Sequence, residues 1–233
     1  MKIRKYFFCL PPLFFIAAMV YVSAAANKPS VTLPFADSAL RIDGELTDEA
    51  WESAAVFSEF KTITPTAGLK PIEKTTAYLL NDSENIYVGI KCFLRDNARI
   101  HIDEKAERDN PGQSDWVAFC LDADNLEQSA RFFLLTPDGV MGDGVLDADG
   151  EPDPAPNFVW RGAAKSAKDG FGAEMVIPLD HFQIEAKSIL GFKVARFIHY
   201  ANQEADFPAI YPERGRHLSQ FQKIRLGEAQ PAL

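Results

Sequence analysis

Asp143, Asp147, Asp149 and Asp153 gather four carboxylates in one short stretch, with Gly144 and Gly150 between them. Hard oxygen ligands on a pliable backbone are what calcium requires, which makes these four the candidate metal ligands and Ca2+ the candidate structural cofactor. The spacing is not that of an EF-hand, and a solvated acidic loop is the other reading. Asp122, Asp124, Asn125 and Glu127 make a second set of the same kind. A different chemistry is open to the aromatic and cationic residues. A sugar ring has an apolar face and a fringe of hydroxyls, so a site for it needs an exposed aromatic beside fork-like or amide donors. Trp116, Trp160, Phe207 and Tyr211 can offer the ring, and Arg108 a donor. Each of these aromatics can equally be core or turn packing, and Arg108 beside Asp109 can be a structural ion pair at a strand entrance. Trp51 is assigned to the core.

Catalytic signatures are missing. The chain has no G-x-S-x-G elbow, no H-E-x-x-H pair, no phosphate-binding glycine loop and no C-x-x-C pair. His101, His181, His199 and His217 are scattered and make no local ligand spacing. A glycosidase needs only two carboxylates about 5–10 Å apart, which an acidic chain supplies many times over. The non-enzyme reading therefore rests on the missing signatures taken together.

Lys2, Arg4 and Lys5 precede an apolar run over residues 6–22 that ends in Ser23-Ala24-Ala25-Ala26, the layout of a secretion signal cleaved after Ala26. Pro11-Pro12 and the lack of a charged stop-transfer flank argue against a permanent anchor, and Cys9 leaves with the signal. Removing residues 1–26 takes three basic residues and no acidic one, so the net charge of −9 becomes −12. Such a surface repels phosphate backbones and anionic headgroups, which disfavours nucleic acid and membrane surfaces as partners and leaves neutral ligands and cations. The expected location is periplasmic or secreted. Cys92 and Cys120 remain in strand-like runs; export permits a disulfide, and two buried thiols are the alternative.

The elements that must position these residues are strands. After a linker over residues 27–37, β-rich runs recur at 74–80, 86–94, 116–121, 130–136, 159–165, 173–177, 192–199 and 221–226, punctuated by Asp, Asn, Gly and Pro. Val88, Ile90 and Cys92 alternate with Tyr87, Gly89 and Lys91, which predicts one buried face. Asn81-Asp82-Ser83, Thr136-Pro137-Asp138-Gly139 and Lys168-Asp169-Gly170 carry turn chemistry and predict hairpins. Thr47 can cap one short helical turn that directs Trp51 inward. The pattern predicts one all-β domain over residues 38–227, a sandwich or barrel, with a tail over residues 228–233. Its one long loop runs from Asp147 to Pro156.

Read in order, Ile42-Asp43-Gly44-Glu45-Leu46-Thr47-Asp48-Glu49-Ala50-Trp51, Asn85-Ile86-Tyr87-Val88-Gly89-Ile90, Arg108-Asp109, Ser114-Asp115-Trp116-Val117, Thr136-Pro137-Asp138-Gly139-Val140 and Asp169-Gly170-Phe171-Gly172-Ala173-Glu174 form a succession. It resembles the family 9 carbohydrate-binding modules, including the family-9-like domains of bacterial surface proteins. The resemblance covers residues 38–227 and implies a two-sheet antiparallel β-sandwich, sugar capture in a shallow cleft and structural calcium. It places Arg131 where the family offers an arginine to sugar hydroxyls. The family's aromatic before the strand at 116–121 has no counterpart at Pro111-Gly112-Gln113, and its strand glutamate stands as Ala118. Three functions follow as expectations. The first is an exported, non-catalytic module that binds a neutral glycan through Arg131, Trp116, Arg108, Trp160 and Tyr211 in support of carbohydrate catabolism, with a separate glycosidase or outer-membrane protein as partner. The second is a protein-interaction module that has lost the cleft. The third follows from relatives of this sandwich that hold a b-type haem, for which Met141, Met175 and His199 are available.

Overall fold

The computed structural model describes residues 29–182, 184, 188–215 and 217–229. The expected signal segment at 1–26, the first two linker residues and the last four of the tail lie outside the described residues. The strands are β1 (Val31–Thr32), β2 (Ala55–Phe57), β3 (Lys61–Thr64), β4 (Thr75–Asn81), β5 (Asn85–Phe93), β6 (Trp116–Asp122), β7 (Ser129–Leu135), β8 (Met141–Asp147), β9 (Pro152–Asp153), β10 (Arg161–Ala167), β11 (Gly170–Pro178), β12 (Leu190–Ile198), β13 (Gln203–Phe207) and β14 (Gln222–Arg225). One sheet has nine strands in the order β1-β14-β12-β6-β7-β8-β9, with β13 also on β12 and β3 on β13. The other has five, in the order β10-β11-β5-β4-β2. The β1–β14 pair is parallel, and the remaining ladders are antiparallel. The fold is the two-sheet β-sandwich expected.

Period-two alternation puts one side of each sheet against the other. Val117, Phe119 and Leu121 of β6, Phe133 and Leu135 of β7 and Phe192 and Val194 of β12 meet Leu79 of β4, Val88 and Ile90 of β5 and Met175 and Ile177 of β11. Each is at most 1% exposed. Full burial of one such side chain is worth about 1.5–3 kcal/mol, so this layer is the main apolar drive of the fold. The alternation in β5 predicts one buried face, whereas the structure buries both. Ala36, Leu40, Trp51 and Ala54, ahead of β2, fold back over Leu80, Tyr87 and Val176 on the outer side of the smaller sheet.

A buried carboxylate fixes that covering segment. Glu174 of β11 is fully buried. Its Oε2 accepts from the amides of Asp43 at 2.8 Å and Gly44 at 2.7 Å, and its Oε1 from the Leu46 amide at 3.2 Å and the Trp51 indole N–H at 2.9 Å. Gly44 is needed there, with φ at +84° and a Cβ position only 2.6 Å from the Ala164 carbonyl carbon. The helical turn spans Glu49–Ser53, and its N-cap residue is Asp48 with no side-chain cap bond, not Thr47. The turn is anchored by its tryptophan instead of its cap.

On the outer side of the larger sheet, Ile210, Leu218 and Phe221 form a belt over Cys120, Ala130 and Leu146. Cys92 lies between the sheets and Cys120 under this belt. Both are free, buried thiols, and burial pushes them up to about 11 and about 12.

Candidate functional site

Since Val117, Phe119 and Leu121 point into the core, Trp116, Ala118 and Cys120 point outward from β6. The register sets Trp116 opposite Phe197 and Phe197 opposite Glu204. One residue from each of β6, β12 and β13 thus forms a row across the outer side of the larger sheet. The next row is Ala118, Ala195 and Asp206, whose two alanines make a low floor beside the raised first row. Trp116 stacks on Phe197 with ring centroids 5.8 Å apart and planes at 21°, and both rings are half-buried. Beyond Phe197, His199 stacks on His101 at 3.8 Å. Buried Asp115 fixes that end, its Oδ1 accepting from the His199 amide at 2.7 Å and its Oδ2 from the His101 amide at 3.1 Å.

The carboxylates of this face are unevenly compensated. Asp206 is fully buried, with Oδ2 at 2.9 Å from Lys193 Nζ. Burial opposes the Lys193 charge, yet Asp206 holds the ammonium above the ordinary lysine value. Asp206 Oδ1 has no hydrogen-bond partner among the described residues. Burial, and then the Asp206 charge, push the half-buried Glu204 up to about 7 against the pull of Lys193. The Glu204 amide donates to Thr64 Oγ1. Its carboxylate receives no hydrogen bond among the described residues. The row can therefore offer apolar ring faces and a free acceptor side by side.

Of the residues singled out from the sequence, Trp116 lies in this row and the others do not. Arg131 pairs with core-facing Leu121 across β6 and β7, so it emerges on the opposite side of the sheet from Trp116. Its guanidinium lies between Phe158 and Phe182, 4.5 Å from each ring centroid, and Nη1 donates to the His181 carbonyl at 2.6 Å. Arg108 and Trp160 do meet, at Asp143: Arg108 forms an ion pair with it, and the Trp160 indole donates to it at 3.2 Å. Trp160 belongs to the core. Asp109 lies farther from Arg108, at 3.6 Å. Tyr211 carries Arg214 over its ring at 3.9 Å, and Phe207 packs on Phe57 and Phe192.

The acidic quartet needs correction. Asp143 and Asp147 belong to strand β8, not to a loop. Gly142 and Gly144 give the stretch a loop-like composition, but Gly144 is there because a Cβ would lie 2.2 Å from the Asp153 carbonyl oxygen. Asp143 is fully buried, and Arg108, Trp160 and the Phe158 amide occupy its oxygens. Asp147 accepts the amides of Asp149 and Glu151, and Asp153 that of Ala155. Among the described residues no three His, Cys, Asp or Glu side chains are placed to hold one metal ion, so these carboxylates do not fit a shared calcium. In the second set Lys223 Nζ bonds Asn125 and lies 3.4 Å from Glu127 Oε1, so an ammonium already supplies positive charge. Met175 sits in the core and Met141, opposite core-facing Leu135, packs against it, while His199 lies on the outer side of the larger sheet, so neither methionine shares a face with the histidine.

Phe197 and Glu204 are functional candidates that sequence reasoning missed. Alternation over 192–199 contains the signal for Phe197. Nothing local marks Glu204, because Gln-Glu-Ala-Asp-Phe has weak strand propensity and its place depends on pairing with β12.

A scan against protein-family models and a search of curated proteins give no match. Among solved structures, the chain is similar to a family 9 carbohydrate-binding module from Caldicellulosiruptor kristjanssonii in complex with glucose, with a TM-score of 0.65 and 14% identity over 88% of this chain and 99% of that one. A family 9 module from the same organism in complex with cellotriose matches with a TM-score of 0.62 and 15% identity, covering 87% and 96%. A Bacteroides uniformis protein provisionally described as carbohydrate-binding matches with a TM-score of 0.65 and 9% identity, covering 86% and 100%. At these identities the likeness is one of fold, and the chain has the β-sandwich fold of the family 9 carbohydrate-binding modules.

Proposed function

We propose that this chain is a non-catalytic carbohydrate-binding module that seats a glycan against the Trp116–Phe197–Glu204 row, exported by its N-terminal segment and serving carbohydrate catabolism outside the cytoplasm. The observation that carries the reading is the row itself. Two half-buried rings stacked at 5.8 Å stand in register with a carboxylate that has no donor among the described residues. Ring faces suit the C–H face of a sugar and the carboxylate suits its hydroxyls. The fold shared with modules solved with glucose and with cellotriose supports it. The test is a thermal-shift and tryptophan-emission titration with glucose and cellotriose, on the parent protein and on Trp116→Ala. A saturable shift that Trp116→Ala abolishes is expected. A flat response to both sugars from a protein that melts cooperatively overturns the reading and favours a protein-interaction module.

A further inference from the structure

On the outer side of the larger sheet Glu204 and Asp206 share one ion-paired cation, because Lys61 of β3 stands opposite Asp206 in register but forms no ion pair with either carboxylate among the described residues. Glu204 and Asp206 stand on adjacent rows, and Lys193 is spent on Asp206 Oδ2 at 2.9 Å. With Oδ2 held by Lys193, Oδ1 is buried without a hydrogen-bond partner among the described residues. Asp206 is fully buried and out of a ligand's reach; it acts through its field. Glu204 is the carboxylate a ligand can touch, in register with the Phe197 ring and, beyond it, Trp116. A carboxylate beside aromatic rings is the arrangement that holds an ammonium group: the ring quadrupole and the anion attract the same positive charge.

Resting on the carbohydrate reading, we infer that this face selects an amine-bearing sugar, its ammonium against Glu204 and its ring against Phe197 and Trp116, over neutral and N-acylated sugars of the same linkage. A hydroxyl would satisfy the Glu204 oxygens but would leave the excess charge of the pair in place. An ammonium does both. Burial first and the Asp206 charge second push Glu204 up to about 7, the direction expected where a carboxylate's charge lacks a paired cation. The other end of the row is unsuited to a cation. There Arg95 and Arg99 line a depression with His101, His199 and Tyr200. Arg95 is held by Glu73 at 3.1 Å, while Arg99 donates to the Ala98 carbonyl. The ammonium is therefore assigned to the Glu204 end.

The test compares three β-1,4-linked trisaccharides that differ at the 2-position: the glucosamine trimer, its fully N-acetylated form and cellotriose. Binding is read by calorimetry near neutral pH and moderate salt. Glucosamine trimer should bind about tenfold tighter than the other two. Glu204→Gln should bring the three to within about twofold of one another, while Glu52→Gln, at an exposed glutamate of the turn over the smaller sheet, keeps the preference and so excludes attraction to the acidic surface at large. Equal binding of all three by the parent overturns the amine preference and leaves the carbohydrate reading standing. A preference that survives Glu204→Gln overturns the assignment to Glu204. No binding by any trimer overturns the inference together with the carbohydrate reading.

Discussion

Replacing Glu174 by Gln changes one oxygen into an NH2 and little else in shape. The carboxylate accepts two donors on each oxygen, the Asp43 and Gly44 amides on one and the Leu46 amide and Trp51 indole on the other. Whichever way the amide turns, one buried and one partly buried N–H group come to face an NH2. A hydrogen bond to a charged group contributes about 1.5–3 kcal/mol, and the two losses are not independent, so the expected cost is about 3–5 kcal/mol. For a domain near this size each kcal/mol moves the midpoint by about 2–4 °C, giving a drop of roughly 6–20 °C. The assay is thermal and urea denaturation followed by tryptophan emission, with an unchanged urea slope confirming that stability alone has moved. Trp51→Phe removes one donor and should cost less. Combined with Glu174→Gln it should cost less than the two changes separately, by on the order of 1 kcal/mol. A Glu174→Gln protein that melts cooperatively within about 2 °C of the parent would refute the claim that this carboxylate holds the covering segment.

Asp143→Asn should destabilise by about 2–4 kcal/mol in urea melts, because a fully buried carboxylate loses its pairing with Arg108 and keeps one oxygen for two remaining donors. Arg108→Gln should cost less than half of that, since the arginine side chain is 46% exposed. Burial, and then the positive charge of Lys193, hold His217 down to about 4 against the pull of Asp147. A histidine kept neutral in the fold gives stability that is full above its unfolded value near 6.5 and falls as the pH drops from there towards 4. Melting midpoints should decline through that window, and His217→Gln should flatten the decline. Cys92 and Cys120 should resist a thiol reagent until denaturant is added, and reductant should leave the midpoint unchanged. Labelling of either in the folded protein would contradict their burial.

The sandwich was legible because its inner faces obey period two: Val88 with Ile90 and Val117 with Phe119 reveal strands without any partner being known. Half of the covering segment was legible too, since the stretch from Ile42 to Trp51 stands out by residue type. Its anchor was not, because Glu174 lies 130 residues from Gly44 in the chain and no local pattern joins them. β8 hid behind its glycines and β13 behind its acids, each placed by neighbours that overrule propensity. Trp116 could be named from its own strand. The face it shares with Glu204 requires two registers, β6 on β12 and β12 on β13, and one of those strands was unread. Arg131 shows the converse. Its residue type fits a sugar site, and only its pairing with Leu121 reveals which way it faces.

The ends of the fold close on each other in a way that bears on force. Val31 and Thr32 of β1 run parallel to Ile224 and Arg225 of β14. The Leu33 amide donates to the Arg225 carbonyl at 2.8 Å, and the Asn81 side chain binds both the amide and the carbonyl of Gly227. Tension applied through the two ends would draw these strands past one another lengthwise. Bonds loaded in that direction must yield together, whereas a hairpin pulled open gives way one bond at a time. The terminal strands thus act as a shear clasp. Pulled through its two ends, the sandwich would keep its rows in register until that clasp slips.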